Sequence, residues 1–140
     1  MRPLLNIQMT IIPQLIQSLA DSLSALGLPK RDIKLSPPNN PDFGDFATNV
    51  ALTLTKDAGI TPIQIANNIK DHLDVSETLI EEITVTPPGF INFKIAPTYY
   101  YHILSEILTN NQFGRGLSGK GKKANVEFVS ANPTGPLTVG

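Results

Sequence analysis

Cysteine and tryptophan are both absent from the 140 residues, and histidine occurs only at positions 72 and 102. Without cysteine the chain can form no disulfide and no thiolate metal site, and two histidines without a ligand at helical spacing predict no metal site. No apolar run approaches the roughly 20 residues that a membrane-spanning helix requires. These absences argue against a disulfide-stabilised secreted scaffold and a membrane protein, and they predict a cytoplasmic chain.

Charge is sparse and unevenly distributed along the chain. Residues 1–112 contain seven basic and eleven acidic residues, a net charge of −4, whereas residues 113–140 contain four basic and one acidic residue, a net charge of +3. An acidic main part is not typical of a stand-alone nucleic-acid-binding protein. Any contact with a nucleic acid is therefore expected to be small and local, with the phosphates bound elsewhere in a larger protein.

Hydrophobic residues at helical spacing predict about four helices within residues 1–112. The predicted helices cover residues 12–26, 46–58, 61–73 and 97–110. Asp45 is placed to cap the second helix, and Thr61 with Gln64 predicts a capping box at the start of the third. The last helix is expected to bury one side, formed by Tyr100, Ile103, Leu104, Ile107 and Leu108.

Three short segments carry the pattern of β-strands. Residues 32–37, 83–86 and 90–95 are rich in β-branched or aromatic residues, and the last two are separated by a Pro-Pro-Gly turn. In the third segment Ile91, Phe93 and Ile95 alternate with Phe90, Asn92 and Lys94. The predicted fold is α+β, with a small antiparallel sheet of about three strands packed against about four helices.

Residues 113–123 have the composition of a linker, because four glycines alternate with Arg115 and three lysines. The segment is not a P-loop, since no Gly-Lys-Ser/Thr follows a four-residue spacer.

The last residues of the chain differ in composition from this linker. Val126–Val129 is predicted to be a buried strand, and Pro133, Gly135 and Pro136 interrupt the residues after it. A loop at the carboxyl end of a strand is where open α/β sheets bind ligands.

The run Val126–Gly140 resembles the first strand and signature loop of a class I aminoacyl-tRNA synthetase, specifically arginyl-tRNA synthetase. In that family Ser-x-Asn-Pro-x-Gly-Pro leads into a His-x-Gly-His tetrapeptide. Thr138 stands here where the first histidine is usual. The strings Asn40–Asn49 and Pro88–Phe93 are similar to the N-terminal additional domain of the same family.

The resemblance implies three regions: residues 1–112 as the tRNA-recognition (additional) domain, 113–123 as the linker, and 124–140 as the first strand and signature loop of a truncated Rossmann-like catalytic domain. The full-length protein would be an arginine–tRNA ligase, a monomer that uses ATP with magnesium, arginine and its tRNA. No catalytic site is complete in these 140 residues. We therefore expect them to be inactive alone and to hold no cofactor or metal.

The same resemblance implies the ligand-binding residues. The D-loop at the outer corner of tRNA would be contacted by Asn40, Phe43 and Asp45, and an exposed aromatic ring is suited to stack on an unpaired base. Arginine would be bound by Glu127, Ser130 and Asn132. The ATP-binding loop would include Pro133, Thr138, Val139 and Gly140.

Two other functions stay open at this point. The chain could be a protein-interaction module that uses an exposed acidic edge, formed by Asp74, Glu77, Glu81 and Glu82, and makes no RNA contact. It could also be a small-molecule enzyme that uses Ser130, although no general base lies nearby in the sequence. Phe43 could pack inward, and Asp45 could be only a helix cap.

Overall fold

A three-stranded antiparallel sheet with helices on one face forms the centre of the molecule. The computed structural model describes residues 11–117, 119–128 and 135. The strands are β1 (Phe46–Thr48), β2 (Ile80–Thr86) and β3 (Phe90–Ile95), in the order β1-β3-β2. The helices are α1 (Ile11–Ala25), α2 (Val50–Thr53), α3 (Thr55–Ala58), α4 (Pro62–Asp71) and α5 (Pro97–Thr109), with one 3₁₀ turn at Pro41–Phe43. The predicted α+β class and three-stranded antiparallel sheet are confirmed, although one of the three strands is not the predicted one, and the described residues form five α-helices instead of about four.

The core lies between the helices and one face of the sheet. Helix α1 contributes Leu15, Leu19 and Leu23, which are buried at the predicted helical spacing. The opposing wall consists of Ile65, Ala66 and Ile69 from α4, Val50, Ala51 and Leu54 from α2 and its end, and Ile91, Phe93 and Ile95 from β3. Burial of these side chains is the main stabilising contribution to this fold.

Two buried serines on α1 hold the end of α4 in place. Ser22 Oγ donates to the carbonyl of His72 at 2.9 Å, and Ser18 Oγ donates to the carbonyl of Asp74 at 2.9 Å. Carbonyls just beyond a helix have no partner within it, so these hydroxyls satisfy groups that would otherwise be unpaired. Hydrophobic periodicity alone did not predict that the two serines share the buried face of α1.

The start of α4 confirms the predicted capping box. The Thr61 N–H donates to Gln64 Oε1 at 3.0 Å, and the Gln64 N–H donates back to Thr61 Oγ1 at 3.4 Å. Pro62 occupies the first turn, where its missing N–H costs no helical hydrogen bond.

The predicted helix 46–58 is wrong in its first part. Phe46–Thr48 is strand β1, which pairs with β3 in the register Phe46–Phe93 and Thr48–Ile91. Because β1 separates Asp45 from α2, Asp45 cannot cap that helix. The predicted strand 32–37 is also wrong: it forms only a single bridge, between Ser36 and Ala47. Pro37 and Pro38 come directly after Ser36 and have no N–H with which to continue the pairing.

Helix α5 has the predicted bounds to within one residue, but its predicted burial is wrong. None of its thirteen residues is buried against the described part of the chain. The exposed apolar side chains on α5 are Tyr100, Tyr101, Leu104, Ile107 and Leu108. The helical period was predicted correctly, but that side is left largely exposed, with Tyr100 beside Asp45 and Ile103 only partly buried. In the described residues, no helix combines the length and apolar character that crossing a membrane requires.

Residues 119–128 form no helix or strand. Val126 and Phe128 are exposed, Phe128 to 93% of its surface. The predicted strand Val126–Val129 is therefore not formed at its described residues, because no described strand lies beside it to accept its backbone hydrogen bonds. Val129 lies outside the described residues.

Candidate nucleic-acid interface

Residues 37–45, here called the Phe43 turn, connect the Ser36 bridge to β1. Asn40 Oδ1 accepts a hydrogen bond from the Asp42 N–H at 3.0 Å and so caps the 3₁₀ turn. The Phe43 N–H donates to the Asn40 carbonyl and the Gly44 N–H donates to the Pro41 carbonyl, both at 3.1 Å. These hydrogen bonds hold the turn together, and Phe43 contributes only its main-chain N–H to them. The residue is 44% exposed.

The sheet face that looks away from the helices carries a second group of residues. In β3, Ile91, Phe93 and Ile95 point to the core, so the alternation places Phe90, Asn92 and Lys94 on the other face. Phe90 is 36% exposed, whereas Asn92 is only 2% exposed. A polar side chain is thus buried on the outer face of the sheet, beside a half-exposed aromatic ring.

A cleft of about 210 Å³ lies between the Phe43 turn and this outer face. Its lining combines the turn with the ends of the strands: Ser36, Pro37, Pro38, Asn39, Phe43, Ala47, Thr86, Pro87, Phe90 and Asn92. Of the described residues that line it, none carries a charge. The cleft therefore offers aromatic surface and neutral hydrogen-bonding groups, and it offers no cation to a phosphate.

Asn92 is the most deeply buried polar residue of the cleft. Its Nδ2 donates to Thr86 Oγ1 at 3.0 Å, which orients the carboxamide. An asparagine side chain has two N–H donors and one carbonyl acceptor, so this bond uses one of the donors. Asn92 consequently has hydrogen-bonding capacity left for a ligand that enters the cleft.

Asp45 lies at the end of the Phe43 turn, beside β3 and α5. Its N–H donates to the Phe93 carbonyl at 2.8 Å, and its Oδ2 accepts from the Ile95 N–H at 2.7 Å. Partial burial raises the pKa of the Tyr100 phenol above its ordinary value, and the charge of nearby Asp45 raises that pKa further. The Asp45 carboxylate is thus engaged with the protein itself.

The structure places Asn40, Phe43 and Asp45 in one turn, but only Phe43 lines the cleft. Asn40 and Asp45 hold the turn instead. Glu127 lies in the exposed segment 119–128. The other predicted ligands of arginine and ATP lie outside the described residues: Ser130, Asn132, Pro133, Thr138, Val139 and Gly140. Within the described ranges, no group of three or more His, Cys, Asp or Glu residues could hold a metal ion.

Sequence reasoning missed Phe90 and Asn92 as site residues. The signal was present, because an aromatic and an amide occupy the same side of an alternating strand whose opposite side is uniformly apolar. The sequence did not show that the Phe43 turn folds back over that side.

Residues 13–95 match the family described as the arginyl tRNA synthetase N terminal domain. The chain belongs to this family. The match includes the Phe43 turn and all of β1, β2 and β3, and it ends before α5.

Relatives of this arginyl-tRNA synthetase family support the assignment. The chain is 44% identical over 128 residues to the arginine–tRNA ligase of Prosthecochloris aestuarii, covering 90% of this chain and 23% of that protein. It is 42% identical over 139 residues to the arginine–tRNA ligase of Staphylococcus carnosus, covering 94% and 25%. The chain thus spans only about a quarter of the length of these curated relatives.

Two solved structures of arginyl-tRNA synthetases have a similar fold. The Thermus thermophilus enzyme aligns with a TM-score of 0.55 at 28% identity, covering 70% of this chain and 16% of that chain. The Plasmodium falciparum enzyme aligns with a TM-score of 0.61 at 20% identity, covering 70% of this chain and 18% of that chain. This second similarity supports a shared fold and nothing more.

Proposed function

We propose that this chain supplies tRNA recognition to an arginine–tRNA ligase by holding an unpaired base of the tRNA in the Phe43–Phe90 cleft. The supporting observation is the pairing of two half-exposed aromatic rings with buried Asn92 in an uncharged cleft. Aromatic rings stack on unpaired bases, and an amide can hydrogen-bond to a base edge. The D-loop at the outer corner of tRNA is the source of unpaired bases that we propose.

The absence of charge in the lining of the cleft favours a base over a phosphate. Neutral hydroxyl and amide groups can contact a phosphate, but the charge of lysine and arginine dominates non-specific affinity for RNA. The basic residues of the described chain lie elsewhere, for example Lys30, Arg31 and Lys34 after α1 and Lys120, Lys122 and Lys123 after α5. The cleft is therefore suited to read a base, while the phosphates bind outside it.

The remainder of the activity is proposed from the family. The full-length protein would activate arginine with ATP and magnesium, transfer it to the tRNA, and act as a monomer. The Glu127 carboxylate is a suitable ligand for the cationic groups of arginine. Ser130 and Asn132 would assist it, and Pro133, Thr138, Val139 and Gly140 would belong to the ATP-binding loop. Residues 1–112, 113–123 and 124–140 would be the recognition domain, linker and start of the catalytic domain.

The test is a titration of the 140-residue chain and its variants with an unmodified tRNA transcript specific for arginine, monitored by fluorescence anisotropy. If Phe43 stacks on a base, Phe43→Ala should weaken binding by about 1–3 kcal/mol, the range for one stacked base. The slope of affinity against salt concentration should stay the same, because Phe43 neutralises no phosphate.

Tyr101→Ala is the matched control, since Tyr101 is an exposed aromatic residue on α5, outside the cleft. This variant should bind the transcript like the parent chain, and both variants should keep the parent melting temperature. Equal binding by the Phe43→Ala variant and the parent chain would refute the base-binding role of the cleft.

A protein-interaction role has one observation in its favour, the exposed apolar side of α5. In the same titration, that role predicts no specific binding of the transcript by any variant. A blunt-ended RNA duplex serves as the comparison, because it presents phosphates without unpaired bases.

A further inference from the structure

Asp45 closes the Phe43 turn by extending the pairing of β1 with β3. The last backbone pair of the two strands is Phe46–Phe93, and the Asp45 N–H continues it by donating to the Phe93 carbonyl at 2.8 Å. The carboxylate oxygen Oδ2 then accepts from the Ile95 N–H at 2.7 Å. A side chain thus takes the hydrogen bond that a backbone carbonyl would accept if β1 continued.

Gly44 brings the turn into direct contact with β3 beside Asp45. Its φ is 106°, and a Cβ at this position would lie 2.7 Å from the Phe93 carbonyl oxygen. A side chain at position 44 would therefore push the turn away from the sheet. The short distance shows that the backbone on the C-terminal side of Phe43 rests on β3 itself.

Phe43 lies between this contact and the Asn40 cap. On its N-terminal side Asn40 Oδ1 accepts from the Asp42 N–H at 3.0 Å, and on its C-terminal side Asp45 binds β3. The ring of Phe43 is not one of these anchors, and Phe43 lines the cleft. The position of the ring therefore depends on anchors that lie outside the cleft.

We propose that Asp45 is a positioning residue: it fixes the Phe43 turn on β3 so that the ring is held beside Phe90, and it does not itself contact RNA. The ligand part of this inference rests on the proposed function. A carboxylate beside tRNA phosphates would meet charge of its own sign, so a direct contact is electrostatically unfavourable. As an internal hydrogen-bond acceptor, the same carboxylate has favourable partners.

The first measurement needs no RNA. In Asp45→Ala, amide hydrogen exchange at Ile95 should accelerate by about tenfold, because its N–H loses a charge-assisted hydrogen bond. A ¹⁹F label on the ring of residue 43 should report a broadened or shifted resonance. Asp45→Asn keeps an oxygen acceptor, so it should restore the slow exchange and the parent ¹⁹F signal. Unchanged exchange and an unchanged ¹⁹F signal in Asp45→Ala would overturn the positioning role.

The second measurement is a double-mutant cycle with the arginine-specific tRNA transcript. Asp45→Ala should weaken binding by about tenfold in the parent chain, and by less than about twofold in the Phe43→Ala background, because the effect passes through the ring. Asp45→Asn should bind like the parent. An equal loss in both backgrounds would mean that Asp45 contacts RNA or acts by general destabilisation, and would overturn the proposal.

The two measurements separate this inference from the proposed function. If no variant and no parent chain binds the transcript, the tRNA role fails, while the exchange and ¹⁹F data still decide whether Asp45 positions the ring. If Asp45→Ala does not fold, Asp45→Ser replaces it, since its oxygen is one bond shorter and should fail to reach the Ile95 N–H.

Discussion

At the scale of single residues, the candidate site depends on a glycine that sequence inspection treats as an ordinary turn residue. Gly44 combines a φ of 106° with a backbone contact that leaves no room for a Cβ. Gly59 also has a positive φ, 67°, but no atom lies within 4 Å of the position that a Cβ would occupy there. Alanine substitutions at Gly59 and Gly44 therefore distinguish the cost of a positive φ alone from the added cost of a steric clash with β3.

Gly59→Ala should destabilise the fold by about 1–2 kcal/mol, the cost of a left-handed conformation for an ordinary residue. Gly44→Ala should cost more, about 3 kcal/mol or above, because a displaced turn also loses its hydrogen bonds to β3. Urea unfolding of the two variants measures both values. Equal losses would mean that the turn adapts without leaving the sheet.

At the scale of elements, the sequence predicted correctly those helices and strands whose local residue pattern matches the structure that tertiary packing imposes. The capping box of α4, the extent of α1 and the alternation of β3 were all predicted from short patterns. The segment from Phe46 to Leu54 was predicted to be entirely helical because its apolar residues have helical spacing throughout. Its first three residues pair with β3 instead, and a long-range contact of that kind leaves no local signal.

The candidate site was predictable only in part. Phe43 was predicted as a ligand-binding residue from the resemblance of Asn40–Asn49 to the family, and an exposed aromatic ring suits stacking on a base. Asn40 and Asp45 belong to the same turn, but their hydrogen bonds show that they hold it in place. Phe90 and Asn92 join the cleft only because the turn folds over the outer face of the sheet, which depends on the tertiary structure.

The segment after α5 should contribute little to the stability of the rest. Residues 119–128 are exposed and form no regular structure, and the linker 113–123, which overlaps them, is rich in glycine and basic residues. Deleting residues 113–140 should therefore leave the melting temperature of the remaining domain nearly unchanged, as measured by calorimetry. A large drop would place an integral strand in that segment and move the proposed boundary at residue 112.

At the scale of the whole molecule, the outer sheet face carries both the cleft and part of the acidic edge. The lining of the cleft is uncharged and aromatic, whereas the acidic residues Asp74, Glu77, Glu81 and Glu82 are exposed. Glu82 pairs in register with Lys94, which lies on the same sheet face as Phe90 and Asn92 and also pairs with Glu81 at 3.3 Å. Because exposed ion pairs contribute little to stability, this acidic edge is better viewed as a surface that repels RNA. An RNA at the cleft would therefore meet carboxylates further along the same sheet face, which favours a small, local contact.

A map of where tRNA contacts the domain would show most directly whether the cleft binds a base. The ¹⁵N-labelled 140-residue chain would be titrated with the arginine-specific transcript, and the amide shifts recorded residue by residue. A base held in the cleft should cause the largest changes at Asn39, Phe43, Phe90 and Asn92, with none on the acidic edge or at Tyr101. Changes confined to α5 or to Arg115, Lys120, Lys122 and Lys123, without shifts at the residues that line the cleft, would contradict the proposed base-binding role.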